Sequence, residues 1–445
     1  MKKRQKVFII GIGGIGTSGL AQLLREKNYQ VSGSDRNDNQ IVKILLKKNI
    51  KVYIGNKKYL PADTNIVIYS PAVPTNHRLL KQARKNNLKI LSYPQALWET
   101  VKDKKVIAIS GTHGKSTVTA IVGWILSSQK KKPTILCGSI MNNFNTNAIW
   151  GNGEYAVIEA DEFNKSFLNY HPYVSVINNI ELDHFDTYKN PTDLITTFNQ
   201  FINQTEAGGK VIINADNELT KKLNQYPGSI TFGIESGKYK VKNIHYNNKV
   251  TFVFNNIKAT TNLVGVHNIM NIAAAFTVIK SINLSLPKAI KSLKKFKNTW
   301  RRFEKIGNFN NITTISDYAH HPTEIKATLN SAKIKYPEKQ IIAVFQPHQH
   351  NRTRHLIKEF GKSFVQADKV IITEIYNVAG RISKQDSKVS AKRIINYLPR
   401  GKKVLWAPKL ENIKSAINEM INKNSIIIFL GAGNIDDHAR KLVKK

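Results

Sequence analysis

Apolar residues along this chain fall into two alternating patterns. Short apolar runs bounded by glycine or proline, such as VFIIG at residues 7–11, are typical of buried strands. Longer segments in which apolar residues recur every three or four positions, such as LAQLLREKN at residues 20–28, are typical of amphipathic helices. The strand-like YQVSGSD follows this helix at residues 29–35. A strand, a helix and a strand in this order predict a parallel sheet covered by helices.

The same alternation divides the 445 residues into three α/β segments. We place the first at residues 1–100, the second at 101–296 and the third at 297–445. The polar stretch ETVKDKK, residues 99–105, is interpreted as a linker between the first two segments. Further apolar runs predict strands in the first and third segments: TNIVIYSPAV, KILSYPQAL, QIIAVFQPH, KVIITEIY, KVLWAP and SIIIFLGAG. Each segment is long enough to bury its own core.

A glycine-rich turn follows the first predicted strand. Gly11, Gly13 and Gly16 match G-x-G-x-x-G, with Gly14 between them, and Asp35 ends the next strand at the spacing of a ribose-binding acid. Taken alone, this pattern predicts a nicotinamide-dependent dehydrogenase. Its glycines only let backbone amides and a helix N-terminus approach a pyrophosphate, however, so any nucleotide diphosphate would fit. Asp35 would equally serve as a turn residue at a strand end.

A second glycine turn follows the predicted strand VIAIS. Its sequence GTHGKS, residues 111–116, ends like a phosphate-binding loop, but the longer form G-x-x-x-x-G-K-[ST] needs glycine where this chain has Ile109. The match is therefore either chance or a shorter loop. The order of strand, turn and helix favours a phosphate site, in which backbone amides receive oxygens and Lys115 neutralises them. A hydroxyl from Ser116 or Thr117 would then bind Mg²⁺.

Two groups of acidic residues follow predicted strands downstream of this loop. The first, in YAVIEADEF, consists of Glu159, Asp161 and Glu162. The second, in VSVINNIELDHFDTY, consists of Glu181, Asp183, His184 and Asp186. Ligands of open parallel sheets bind beyond the carboxyl ends of the strands, so we expect both groups to face Lys115 and to hold magnesium. The alternative is that the acids are solvated and that His184 is an ordinary surface histidine.

Composition narrows the class of protein. Cys137 is the only cysteine, which rules out an internal disulfide, and no apolar stretch approaches the roughly 20 residues of a membrane-spanning helix. We therefore expect a cytoplasmic protein without membrane association. The formal net charge is +38, but the lysines are scattered and their longest run is 130–132. This pattern favours an AT-rich coding bias over a basic binding face, so no nucleic-acid partner is expected.

Together these motifs resemble those of the Mur ligase family, in which the short loop G-T-x-G-K-[ST] replaces the longer form and GTHGKS is complete. The resemblance covers the full length through further matches: GIGGIGTSGLA, EADEFNKSFL, NNIELDHFDTY, GVHNIMNIAAA, RRFE, SDYAHHPTEI and FQPHQHNRTR. It implies an α/β fold of three domains. These would be an N-terminal Rossmann-like nucleotide-sugar domain, a central P-loop-type ATPase domain with a mostly parallel sheet, and a C-terminal Rossmann-like domain that closes over them.

The resemblance also implies which residues bind ATP and Mg²⁺. The nucleotide-binding residues would be Gly111, Thr112, His113, Gly114, Lys115, Ser116, Thr117, His267, Asn268, Asn271 and Asp317. Ser116 and Glu159 would hold one magnesium ion and His184 another. Lys115 and His184 would be catalytic together with Arg302, which would reach from the third domain to the transferring phosphate. For the histidine and the two asparagines of GVHNIMN, a helix cap and paired core groups remain the alternative.

The substrates implied are UDP-N-acetylmuramate and L-alanine. They would be bound by Gly11, Gly13, Gly14, Gly16, Asp35, Ser70, His320, His321, His348 and Arg352, with His320 and His321 on the amino-acid side. The expected reaction joins L-alanine to the lactyl carboxylate through an acyl phosphate while ATP becomes ADP and phosphate. It belongs to cytoplasmic peptidoglycan precursor synthesis, and we expect a monomer or a homodimer.

One motif departs from the family pattern. After F-Q-P-H the family has arginine and tyrosine, where this chain has Gln349 and His350. Gln349 cannot offer the charge that an arginine presents to a carboxylate or phosphate. Arg352 and Arg354 keep the later positions, so we expect weakened or re-routed binding.

Three other functions stay open on the sequence. A related ligase attaches a recycled murein tripeptide to the same sugar nucleotide, but FQPHQHNRTR favours L-alanine addition. The dehydrogenase leaves GTHGKS and the acidic groups unexplained. A nucleic-acid-binding ATPase is suggested by charge alone.

Overall fold

Three separate sheets, each flanked by helices, organise the chain in this computed structural model, which describes residues 4–223, 226–377 and 386–443. The predicted α/β fold with mostly parallel sheets is confirmed. No helix within these ranges is long and apolar enough to cross a membrane.

The first sheet is wholly parallel. Its strands are β1 (Lys6–Ile10), β2 (Gln30–Asp35), β3 (Lys51–Ile54), β4 (Ile66–Tyr69) and β5 (Lys89–Ser92). Its helices are α1 (Ile15–Glu26), α2 (Gln40–Lys47), α3 (Arg78–Lys85) and α4 (Tyr93–Val101). The spatial order β3-β2-β1-β4-β5 reverses direction at β1, where the first glycine turn leads into α1. A reversal of this kind opens a crevice at the carboxyl ends of the strands, where ligands bind.

The second sheet has ten strands and is parallel in its middle. Its strands are β6 (Lys105–Ser110), β7 (Thr134–Met141), β8 (Thr146–Ile149), β9 (Tyr155–Glu159), β10 (Val174–Ile177), β11 (Lys210–Asn214), β12 (Ile230–Gly233), β13 (Tyr239–Tyr246), β14 (Val250–Phe254) and β15 (Ile257–Thr261). Its helices are α5 (Lys115–Ser128), α6 (Pro191–Asn203), α7 (Val266–Ser281) and α8 (Leu286–Leu293). The order β15-β14-β13-β12-β11-β10-β6-β9-β7-β8 places β6 between β9 and β10. The phosphate loop after β6 therefore lies beside both acidic groups.

The third sheet has six strands in the order β16-β17-β21-β18-β19-β20, of which β16 is antiparallel. They are β16 (Glu304–Phe309), β17 (Ile312–Asp317), β18 (Gln340–Phe345), β19 (Lys369–Ile372), β20 (Lys403–Trp406) and β21 (Ser425–Leu430). The helices are α9 (Pro322–Lys335), α10 (His350–His355), α11 (Ile357–Lys362), α12 (Ile413–Met420) and α13 (Ile435–Val443). The loops at the carboxyl ends of β17 and β18 carry the SDYAHHPTEI and FQPHQHNRTR motifs.

The predicted linker at residues 99–105 is wrong in its first half. Residues 99–101 form the last turn of α4, and Thr100 and Val101 are buried. The hydroxyl of Thr100 donates to the carbonyl of Ala96 at 2.7 Å, so its polar group is satisfied within the helix. The connection to β6 is therefore shorter than the polar composition indicates.

A buried polar network fixes the first domain to the edge of the central sheet. Asn147 of β8 donates to the carbonyl of Ile15 at 2.6 Å, and Gln22 of α1 donates to Asn147 at 2.8 Å. Gly19 allows this close approach, because a Cβ there would lie 3.0 Å from the Asn147 amide nitrogen. Since Ile15 begins the helix after the first glycine turn, the network sets the position of that turn relative to the phosphate loop.

Candidate active site

The phosphate loop, residues 111–116, connects β6 to α5. Gly114 adopts a left-handed conformation, with φ of 82°, immediately before the helix. A Cβ at this position would collide with Asn271 Oδ1 and would lie 2.6 Å from Asn178 Nδ2. Only glycine therefore fits between the loop and the two asparagines behind it.

Asn178 and Asn179 hold this loop, although the sequence motifs assign them no role. Asn179 accepts from the N–H of His113 at 2.8 Å and donates to its carbonyl at 2.9 Å. Asn178 donates to the same carbonyl at 3.0 Å and to Asn271 Oδ1 at 2.8 Å. Both asparagines follow β10, the parallel neighbour of β6. Two amide side chains directly after a buried strand are the sequence feature from which this contact with the loop could have been predicted.

Lys115 lies among carboxylates, as the sequence predicts. Its Nζ donates to Glu162 Oε2 at 2.8 Å and to the carbonyl of Gly111 at 2.7 Å, and it lies 3.7 Å from Asp161 Oδ1. Burial alone would lower the pKa of Lys115, but the charges of Glu162 and Asp161 raise it above its ordinary value. The side chain is therefore a permanent ammonium group at the helix N-terminus.

The first predicted metal pair, Ser116 and Glu159, is in contact. The Glu159 carboxylate accepts hydrogen bonds from Ser116 and from the backbone N–H of Gly138. Burial raises the pKa of Glu159 above its ordinary value, and these two donors oppose the shift. A carboxylate and a hydroxyl beside the phosphate loop are ligands that fit Mg²⁺.

His184 belongs to a second possible metal group, with Asp161 and Glu162. Ligand atoms of these three residues all lie within 4.8 Å of one another. Glu162 Oε1 and His184 Nδ1 are buried and find no hydrogen-bond partner among the described residues. Two carboxylates and an imidazole with unused lone pairs fit a divalent cation, so the residues present match the expected metal.

The prediction that the whole second acidic group faces Lys115 is wrong. Asp183 and His184 line the first cavity together with Lys115, Glu181 contacts His113 of the loop, and Asp186 is exposed. The carboxylates of Glu181 and Asp183 also contact the third domain. His184 has a left-handed backbone, with φ of 54°.

A cavity of about 490 Å³ extends from the first glycine turn to the phosphate loop. The predicted site residues that line it are Gly14, Gly16, Ser70, Thr112, Gly114, Lys115, Ser116, Glu159, His184, Arg302 and His320. Asp35 supports the turn itself, because its Oδ2 accepts from the N–H of Gly13 at 2.8 Å. Gly11 is left-handed, with φ of 78°, and begins the same turn. The ribose contact of Asp35 stays a prediction.

A second cavity, of about 230 Å³, brings together the residues predicted on the nucleoside side. They are His113, Gly114, Thr117, His267, Asn268, Asn271 and Asp317, and Arg302, predicted at the transferring phosphate, lines the cavity too. Burial lowers the pKa of His267 to about 4, so its imidazole is neutral at pH 7. Burial raises the pKa of Asp317 to about 6 against the opposing charge of Arg302. This cavity is smaller than the first, and its lining includes groups able to hydrogen-bond a base or ribose.

The two cavities meet at Gly114, Arg302 and Glu324, which line both. The guanidinium of Arg302 lies over the ring of Tyr318, 5.3 Å from its centroid, and its Nη1 is 3.6 Å from Glu324 Oε1. Burial would lower the pKa of Arg302, but Glu324 and Asp317 raise it above its ordinary value. A fixed positive charge therefore stands where the cavities join, opposite the phosphate loop.

The three histidines predicted near the substrates occupy different environments. His320 lines the first cavity, and its Nδ1 lies 3.0 Å from the carbonyl of Tyr318. His321 is buried at the start of α9, where its Nδ1 accepts from Thr323 N–H at 3.3 Å. The ring of His348 stacks on that of Tyr376 with centroids 5.5 Å apart. Of these, His320 is the one placed to contact a ligand in the first cavity.

Arg352 occupies a buried ion pair rather than the cavity wall. Its Nε and Nη2 donate to Asp183 Oδ1 and Oδ2 at 2.8 and 2.9 Å. The predicted role of Arg352 in substrate binding stays a prediction, and the structure places it as a link between the central and third domains.

Comparison with known proteins identifies the class. The profile of the Mur ligase family catalytic domain matches residues 6–105, that of the Mur ligase middle domain 109–279, and that of the Mur ligase glutamate ligase domain 301–433. The chain belongs to the Mur ligase family.

Two curated relatives share one name. The UDP-N-acetylmuramate–L-alanine ligase of Clostridium acetobutylicum is 37% identical over 97% of this chain and 96% of the relative. The protein of the same name from Aquifex aeolicus is 36% identical over 100% and 99%. The crystal structure of the UDP-N-acetylmuramate-alanine ligase MurC from Thermotoga maritima superposes with a TM-score of 0.84 at 29% identity, covering 99% of both chains. A murein peptide ligase from Psychrobacter arcticus, at 24% identity and a TM-score of 0.73, shares the fold.

Proposed function

We propose that this protein is an ATP-dependent ligase that joins L-alanine to the lactyl carboxylate of UDP-N-acetylmuramate, with ADP and phosphate as the other products. The names and full-length coverage of the relatives support this substrate pair. The observation that carries the proposal is the junction of two cavities at Gly114 and Arg302. One cavity reaches a nucleotide-type glycine turn, and the other is lined by the asparagines and histidine beside the phosphate loop.

The reaction runs in two balanced steps. A carboxylate oxygen attacks the γ-phosphorus of ATP, the bond to the bridging oxygen breaks, and ADP leaves an acyl phosphate behind. The amine of L-alanine then attacks the acyl carbon, loses a proton, and expels inorganic phosphate from a tetrahedral intermediate. Activation is necessary because a free carboxylate is a poor acylating agent.

Every reactant in the first step is an anion, so neutralisation and positioning dominate the catalysis. Lys115 and Arg302 both line the first cavity and give it two permanent positive charges. Magnesium would be held by Ser116 and Glu159 and by the group containing His184, and when bound it neutralises phosphate oxygens.

The third domain completes the site only when it lies against the central domain. It contributes Arg302 and His320 to the first cavity. Closure also excludes water, which would otherwise hydrolyse an acyl phosphate.

The test is phosphate release from ATP and Mg²⁺ with UDP-N-acetylmuramate, comparing L-alanine, L-serine, glycine and murein tripeptide with a control lacking acceptor. We expect turnover that depends on both the sugar nucleotide and L-alanine. Turnover with the tripeptide alone would replace the proposal by the recycling ligase. A folded, ATP-binding protein that is inactive with every acceptor would refute it.

A further inference from the structure

The proposed reaction gives the imidazole of His113 no step of its own, although His113 lines the second cavity. Its backbone shapes the loop, but its imidazole points toward the third domain. Nδ1 lies 3.2 Å from Glu324 Oε1, and Nε2 lies 2.9 Å from Glu181 Oε2. His113 therefore bridges a carboxylate of the central domain and a carboxylate of the third domain.

Glu324 connects this bridge to the groups that face the substrates. It stands in the first turn of α9, where its Oε1 also lies 3.6 Å from Arg302 Nη1. Its Oε2 accepts from the backbone N–H of His320 at 3.1 Å. Arg302 and His320 both line the first cavity, so the placement of Glu324 determines where two substrate-facing groups lie.

A further hydrogen bond crosses the same boundary. The hydroxyl of Thr323 donates to Glu181 Oε1 at 2.7 Å. The side chains of His113 and Glu324 are only 15% and 11% exposed, so the contact between these two is shielded from solvent. Charge interactions strengthen where water is excluded. We call the four side chains His113, Glu181, Thr323 and Glu324 the clasp.

We propose that His113 and Glu324 are positioning residues, whose contact holds the third domain against the phosphate loop and keeps Arg302 at the junction of the two cavities. This inference rests on the proposed function and deepens it. It assigns the variable third position of the loop a task in domain closure rather than in phosphate binding. The loop backbone and Lys115 then bind the phosphates, while the imidazole of His113 contacts Glu324 only when the third domain lies against the loop.

The kinetic test compares His113→Asn, Glu324→Gln and the double variant with wild type. Each single change is expected to lower kcat by about tenfold or more with a smaller change in the KM for ATP, and the double variant to be no more than about threefold slower than the slower single variant. Lys326→Gln is the matched control, since Lys326 is an exposed residue of the same helix. Multiplicative losses in the double variant, or an unchanged kcat in both single variants, would overturn the clasp.

A second readout does not depend on turnover. Small-angle scattering with Mg²⁺, a non-hydrolysable ATP analogue and UDP-N-acetylmuramate should give a larger radius of gyration for Glu324→Gln than for wild type or Lys326→Gln. Equal radii in proteins with matching melting temperatures would overturn the clasp. If wild type fails to release phosphate with L-alanine, the proposed function fails, and the scattering comparison still decides the clasp.

Discussion

Arg352 of the third domain and Asp183 of the central domain form a buried, two-pronged ion pair, with Nε–Oδ1 and Nη2–Oδ2 distances of 2.8 and 2.9 Å. Asp183 directly precedes His184, one of the possible metal ligands. The pair therefore fixes the third domain beside the metal group, through contacts that none of the four clasp side chains makes. Burial would raise the pKa of Asp183, but Arg352 and His184 hold it well below its ordinary value.

Asp183→Asn should destabilise the protein by about 3–5 kcal/mol, because removing one partner of a buried pair leaves the other charge uncompensated. Denaturant unfolding measures this loss. The control is Glu419→Gln, which breaks the exposed pair with Lys403 and should cost at most about 1 kcal/mol. Equal effects of the two substitutions would contradict the assignment of a buried link.

Lys115→Met should abolish measurable ligation while also lowering stability. The loss of activity follows from removing the charge beside the transferring phosphate, and the loss of stability from leaving Glu162 buried without its partner. Adding Glu162→Gln should restore the melting temperature but not the phosphate release. A double variant that recovers both would show that Lys115 is structural.

Much of the fold was accessible from the sequence because its signals are local. The pattern of strand, glycine turn and helix at residues 106–128 predicts β6, the loop and α5 without knowledge of any distant contact. The prediction of a linker at residues 99–105 fails in its first half for a physical reason. The hydroxyl of Thr100 forms its hydrogen bond within its own helix, so this polar residue can be buried.

The domain contacts were not accessible, because they join residues far apart in the chain. His113 and Glu324 are separated by 211 positions, and no periodicity connects them. Arg352 was expected at a substrate because FQPHQHNRTR resembles the family motif, and only the folded chain shows it buried against Asp183. The support given to the loop by Asn178 and Asn179 depends on the pairing of β6 with β10.

Gly114→Ala should inactivate the enzyme and destabilise it, because the added Cβ would meet the side chains of Asn271 and Asn178. Gly55→Ala is the matched control: Gly55 has a similar φ of 85°, and a Cβ added there would meet nothing within 4 Å. Gly55→Ala should lower the free energy of unfolding only through backbone strain, by about 1 kcal/mol. Thermal unfolding and phosphate release distinguish the two variants. Similar losses of stability would mean that Asn271 and Asn178 move away to make room for the added Cβ.

Gln349→Gly should raise the stability by about 1 kcal/mol or more, because Gln349 has a strained backbone with φ of 71° and ψ of 126°. Its N–H donates to the carbonyl of Tyr376 at 3.2 Å, a bond that glycine keeps. Activity should be retained if the side chain serves neither substrate. A large loss of activity at unchanged stability would instead show that the glutamine has taken over a binding role.

The contribution of His113 to stability should vanish in alkaline solution. Burial would lower its pKa, but Glu181 and Glu324 raise it from 6.5 to about 9, while the neighbouring His321 is neutral because burial lowers its pKa to about 4. A raised pKa gives stability that is fully present below 6.5 and is lost as the pH rises to about 9. The free energy of unfolding of wild type should therefore converge with that of His113→Asn across this range. A difference that stays constant with pH would contradict the charged bridge.

In the proposed reaction, the two cavities bring a carboxylate to ATP for phosphoryl activation. UDP-N-acetylmuramate labelled with ¹⁸O in both lactyl carboxylate oxygens tests it most directly, with mass spectrometry of the phosphate released in the presence of L-alanine. We predict one ¹⁸O atom in each phosphate and one in the amide product. Phosphate without label, formed at the same rate as the amide, would contradict the account.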